Sequence, residues 1–87
     1  MLRILIADDH PVVMQAVKQI MQEEFPAAHI EEANDTPSLL EKVLNEHWDL
    51  VISDLAMPGG GGFLALKKIK QAKNNLPVLI ISTYPPD

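Results

Sequence analysis

The chain has 87 residues, a net charge of −5, 47% hydrophobic residues and no cysteine. That length allows one small domain, burying somewhat over ~60% of its unfolded surface, and the acidic balance excludes a self-sufficient grip on nucleic acid, which needs a basic face. The absent cysteines exclude a disulfide framework and a thiolate metal site, and no apolar stretch nears the ~18 residues of a membrane span, so the expected setting is cytoplasmic with no membrane contact.

Residues 2–7 form an apolar, partly β-branched run of strand length, closed by Asp8 and Asp9. Pro11 follows where a first helical turn tolerates it. Val13, Val17 and Ile20 recur at helical spacing, and Met14 and Met21 widen that stripe as core residues. Pro26 ends the helix. Residues 28–33 form a short second strand with Ile30 and Ala33 as its apolar members. Thr36-Pro37 repeats the cap-then-proline start, and Leu39, Leu40, Val43 and Leu44 form a second helical stripe. Residues 49–53 are a third strand with Trp48 at its beginning, a packing residue at the rim away from Asp54. Gly59–Gly62 reads as a loop. Phe63, Leu66 and Ile69 then mark a third helix, with Lys67, Lys68 and Lys70 on its wet side. Residues 77–82 are the fourth strand.

This βαβαβαβ order predicts an α/β domain with a parallel sheet and right-handed crossovers. Strands one, three and four are apolar throughout, which implies helices on both faces of the sheet. Strand two is polar at alternate positions and is expected at an edge.

Asp54 closes strand three, and Asp8 and Asp9 close strand one. Ligands of open α/β sheets bind beyond the carboxyl ends of the strands. Carboxylates gathered there repel unless a cation sits among them. Mg²⁺ suits one or two carboxylates, waters and a phosphate oxygen, and the backbone carbonyl of Ala56 is the natural further donor. A carboxylate can also act as nucleophile and form an acyl phosphate. Ser82 and Thr83, at the end of strand four, could supply hydroxyls to the phosphoryl oxygens. Taken singly, these features have plainer readings. Asp9 serves as well to cap a helix, Asp54 to form a turn, and the glycine run lacks the Lys-Ser/Thr of a P-loop. His10 reads as a turn or helix-start residue rather than a ligand, and His29 and His47 as solvated. The combination and its order lift the functional reading above these.

The pieces Ile4-Leu5-Ile6-Ala7-Asp8-Asp9-His10-Pro11, Asp54-Leu55-Ala56-Met57-Pro58 with Gly62, and Ser82 resemble the receiver domain of two-component response regulators. The resemblance implies a flavodoxin-like doubly wound parallel sheet in strand order 2-1-3-4. It also implies that Asp54 accepts a phosphoryl group, that Asp8, Asp9, Asp54 and the Ala56 carbonyl hold Mg²⁺, and that Ser82 is the switch hydroxyl. A sensor histidine kinase is the implied phosphoryl donor. The Asp-Asp-His-Pro opening is similar to the subfamily with a LuxR-type DNA-binding output domain, a fold-level analogy.

Receivers of this family continue through a fourth helix, a fifth strand bearing an aromatic switch residue, an invariant lysine and a fifth helix. Residues 1–87 are accordingly read as a partial receiver lacking the fifth strand and last two helices, with the output domain expected beyond them. Thr83 cannot replace the lysine, because a hydroxyl carries no positive charge. Strand four would then be an open apolar edge, so the fragment is expected to dimerise or swap elements. Two rival readings remain. A small Asp-nucleophile phosphohydrolase would want a second acid two residues after Asp54, where Ala56 stands. A receiver-like interaction module would keep the fold without phosphorylation.

Overall fold

The computed structural model describes residues 1–54, 57, 59 and 61–81. In chain order these form β1 (Arg3–Ala7), α1 (Pro11–Glu24), β2 (His29–Ala33), α2 (Thr36–Asn45), β3 (Leu50–Asp54), α3 (Gly61–Ala72) and β4 (Val78–Ile81). The four strands make one parallel sheet in the order β2-β1-β3-β4, the α/β architecture and order expected. β2 lies at one edge and β4 at the other. The sequence signal for β2 was its Glu31 and Glu32, which a central strand could not bury.

The sheet separates two cores. On one face Leu5, Val51, Leu39, Val43, Ala65 and Ile69 close against α2 and α3. On the other, Ile4, Ile6 and Ile52 meet Met14 of α1. Successive side chains of a strand point to opposite faces, so β1 and β3 supply both cores and must be apolar throughout. Each fully buried Leu, Ile or Val among them contributes about 1.5–3 kcal/mol.

Helix starts follow from local chemistry. Pro11 occupies the first turn of α1, after an extended His10 at φ −100, ψ 112 that makes no side-chain cap. In α2 the cap falls one residue before the expected Thr36. Asp35 is extended and its Oδ1 accepts the Ser38 backbone N–H at 2.8 Å, while Thr36 is the first helical residue and is buried. Aspartate serves this role at least as well as threonine, and only the phase of the helix decided between them. Gly61 and Gly62 likewise belong to the first turn of α3 rather than to a loop. Gly59 does need to be glycine. Its φ is +94, and an added Cβ would lie 2.6 Å from Pro37 Cδ.

Three stripes turn out narrower than read. The inner side of α1 is Met14, Val17 and Met21, while Ile20 is 53% exposed. Leu44 of α2 is exposed, and so is Phe63 of α3, where the buried partners of Ile69 are one phase away at Ala65. Lys70 is not simply wet, since its Nζ donates to the Leu76 carbonyl.

Trp48 sits two residues before β3 rather than opening it, and it is a packing residue as expected, 3% exposed. Its indole N–H donates to the Lys42 carbonyl at 3.0 Å, and the Arg3 guanidinium lies 4.6 Å from its ring centroid. His29 stacks on the same indole, with ring centroids 6.4 Å apart, and pairs with Glu31. It is therefore partnered as well as partly solvated, its side chain 41% exposed, whereas His47 is largely exposed. Arg3 and Asp49 clasp β1 to the entry of β3, each backbone N–H reaching the other residue at 2.8 Å.

Two predictions follow from these contacts. Replacing Asp35 by Ala removes the α2 cap and lowers unfolding free energy by about 1 kcal/mol, measurable by urea denaturation. The carboxyl of Asp49 is held below the usual carboxylate range, first by the Arg3 N–H and then by His47. A depressed pKa gives stability that is present above the unfolded value and is lost as pH falls through the folded one. Asp49→Ala therefore lowers Tm at pH 7, and its gap from the parent chain closes below pH ~4.

Candidate functional site

Parallel register between β1 and β3 sets Ala7 opposite Ser53. The next residues, Asp8 and Asp54, leave the sheet side by side at its carboxyl edge. The Asp8 backbone N–H is fixed by the Ala33 carbonyl at 3.0 Å, which extends the β1–β2 ladder one residue beyond the strand. Both acids are buried, Asp8 to 1% and Asp54 to 0% exposure. Asp9 and His10 stand more in solvent, with side chains 34% and 52% exposed.

One ligand atom from each of Asp8, Asp9, His10 and Asp54 lies within 4.8 Å of all the others. A six-coordinate Mg²⁺ at ~2.0–2.1 Å from its oxygens spans ~4.2 Å between opposite ligands, so the spacing suits a shared divalent cation. A second observation supports a cation there. Asp8 Oδ2 is buried and has no hydrogen-bond partner among the described residues. A carboxylate oxygen left so is costly unless something positive meets it.

His10 is the residue that sequence reasoning underrated. Its backbone does start α1, as expected. Its ring, however, turns back over the acids, with Nδ1 at 2.9 Å from Asp8 Oδ1, 3.1 Å from Asp9 Oδ1 and 3.4 Å from Asp54 Oδ2. Asp8 Oδ1 also accepts the His10 backbone N–H at 2.7 Å. The imidazole pKa is raised above its ordinary value, first by the hydrogen bond to Asp8 and then by the charge of Asp9. The available signal was Pro11. A residue before proline is pushed out of the helical region, which marks His10 as an extended residue at the junction of β1 and α1 but leaves the direction of its ring open.

Beside the acids a cavity of about 330 Å³ opens between Asp8, Asp9, Gln15, Glu32 and Asn34, toward the β2 edge. Ala56, Ser82 and Thr83 lie outside the described residues. Among those described, no helix is long and apolar enough to cross a membrane.

With that geometry in hand, the comparisons with known proteins are consistent among themselves. Residues 4–86 match the response regulator receiver domain. The chain belongs to that family, whose members are the receiver domains of two-component response regulators. It is 35% identical over 83 residues to the glycerol metabolism activator of Pseudomonas putida, covering 94% of this chain and 38% of that protein. It is 32% identical over 85 residues to the transcriptional regulatory protein YdfI of Bacillus subtilis, covering 98% of this chain and 39% of that one. The chain thus spans well under half the length of these curated relatives. Among solved structures, it is similar to the response regulator protein TrrA of Thermotoga maritima in complex with Mg²⁺-BeF. The TM-score is 0.89 and the identity 32%, covering 97% of this chain and 71% of that one. The structure of TrrA in complex with histidine kinase ThkA gives a TM-score of 0.86 and 31% identity, covering 99% and 72%.

Crowded acids destabilise a metal-free fold through like-charge repulsion. Asp54→Asn, which keeps the shape and removes one charge, therefore raises Tm in EDTA by a few degrees, on a scale of roughly 4–8 °C per kcal/mol. Thermal denaturation followed by circular dichroism measures this, and a lowered midpoint would count against repulsion as the dominant effect at the site.

Proposed function

We propose that this chain is a phospho-accepting signalling switch, with Asp54 as the phosphoryl acceptor. The observation that carries the reading is the fully buried Asp54 carboxylate at the end of β3, gathered with Asp8 and Asp9 at one sheet edge. The chain takes the phosphoryl group on itself rather than turning over an outside substrate. An Asp54 carboxylate oxygen forms a bond to phosphorus as the P–N bond of a donor phosphohistidine breaks, and the departing imidazole nitrogen takes up a proton. The donor in this reading is a sensor histidine kinase, supported by the TrrA–ThkA complex.

Asp8, Asp9, Asp54 and the backbone carbonyl of Ala56 are the proposed holders of Mg²⁺. When bound, that ion screens the negative charge between the acceptor carboxylate and the incoming phosphoryl oxygens. The cation taken up by TrrA and the orphaned Asp8 Oδ2 support the assignment. Burial of Asp54 keeps its surroundings at low dielectric, which strengthens every interaction made there and limits water at the acyl phosphate. Ser82 is the proposed switch hydroxyl, turning toward the phosphoryl group and carrying its loop with it.

The surface so biased is read by an output domain, in our reading a DNA-binding one outside residues 1–87. The name of YdfI, a transcriptional regulatory protein, supports this. The setting is cytoplasmic. β4 is an edge with Leu79 half exposed, and we assign residues 1–87 on their own a tendency to dimerise or exchange elements through it.

Incubated with acetyl phosphate and Mg²⁺, the intact protein gains the mass of one phosphoryl group, and Asp54→Asn gains none. Equal gain in both would remove Asp54 from its role.

A further inference from the structure

We infer that His10 is a metal ligand in its own right, and that the site binds a later divalent transition ion such as Co²⁺ or Ni²⁺ more tightly than Mg²⁺. The inference rests on the cation-site reading above and goes beyond its all-oxygen donor set.

The argument starts from position. Nδ1 of His10 stands within 3.4 Å of an oxygen from each of the three carboxylates. A cation shared by those carboxylates therefore meets the imidazole nitrogen at the same place. The ring is placed by its Nδ1 contacts to the acids, on a backbone that is itself constrained. Pro11 fixes the start of α1, His10 is extended before it, and its own N–H is tied to Asp8 Oδ1. Nδ1 is the ring nitrogen that meets all three carboxylates, on a side chain that is 52% exposed.

Ligand chemistry then sets the preference. Carboxylate and carbonyl oxygens suit Mg²⁺ and Mn²⁺, whereas an imidazole nitrogen favours the later first-row ions, with affinity rising from Mn²⁺ through Co²⁺ to Ni²⁺. Mg²⁺ is hard, holds its waters and gains little from a nitrogen donor. Three oxygens plus one nitrogen thus make a mixed site whose selectivity is set by the single residue between Asp9 and Pro11. The buried Asp8 Oδ2, without a hydrogen-bond partner among the described residues, supplies a further reason to expect a cation here.

The test uses the full chain at one fixed pH, with Mg²⁺, Mn²⁺ and Co²⁺ as separate probes. Calorimetric titration gives the ratio of Co²⁺ to Mg²⁺ affinity. Pulsed electron paramagnetic resonance of the Mn²⁺-loaded chain reads directly bonded ¹⁴N. In the parent chain the nitrogen coupling is present, and His10→Ala abolishes it. The Co²⁺/Mg²⁺ ratio falls in that variant, by on the order of 10-fold or more, since loss of even an outer-shell partner costs roughly 10-fold to 100-fold in metal affinity. His10→Gln, which keeps a polar side chain without an imidazole, behaves in the same way. Absence of ¹⁴N coupling in the parent chain, or an affinity ratio unmoved by both variants, overturns the role of His10. Asp9→Asn separates the two levels. If it weakens every ion while the His10 variants change nothing, the cation site stands and its nitrogen ligand does not. If no ion binds, or binding ignores Asp9→Asn and Asp54→Asn, the site reading fails together with this inference.

Discussion

The parallel pairing of β1 with β3 is the constraint on which the rest depends. It brings the ends of two strands distant in sequence to one edge, in a register that sets Ala7 beside Ser53. Asp8 and Asp54 follow from that register as neighbours, and both are buried. Two carboxylates so placed repel each other. The fold tolerates this because the Ile, Leu and Val of β1 and β3 fill cores on both faces and over-determine the strand positions. The site is thus a cost borne by the sheet, and the proposed cation is a group of the right charge to offset it.

The opposite rim holds the sheet in the same register by different means. Trp48, Arg3, Asp49 and the end of α2 interlock through one indole hydrogen bond, one cation–π contact and a reciprocal backbone clasp. These groups are far from the acids along β3, and their work is structural. Fixing where β3 enters the sheet also fixes where it leaves, and Asp54 is its last residue. The precision of the site therefore depends on contacts made at the other end of a five-residue strand.

His10 changes how the acid cluster is understood. Three carboxylates alone form a hard oxygen site, open to solvent through Asp9. An imidazole held against all three makes the site chemically mixed and gives the metal-free form a partial partner for its charge. Pro11 accounts for the extended backbone of His10, and the acids that the ring meets account for its direction. The one residue thus joins the start of α1 to the chemistry at the sheet edge.

Whereas the full strand order came only from the resemblance to receiver domains, the βαβαβαβ succession with its parallel sheet, the edge position of β2, the two-faced burial of β1 and β3, and the placing of Asp8, Asp9 and Asp54 at strand ends were all legible in the sequence. Each rests on local pattern: apolar runs of strand length, their alternation with helical stripes, and acids placed where those runs stop. Phase was less legible. Phe63, Ile20 and Leu44 sit at helical spacing from core residues and yet face outward, and the α2 cap fell on Asp35 rather than Thr36. Spacing fixes only which residues share a side of a helix. How far that side rotates toward the sheet is decided by the partners it meets. The same limit applies to His10, His29 and Trp48, whose neighbours come from other segments of the chain. The sequence by itself determined the elements, their parallel arrangement and the acids at the strand ends, because these follow from hydrophobic period and turn chemistry. Only the tertiary structure decided that an imidazole joins those acids, because that depends on side-chain direction at a junction between two packed elements.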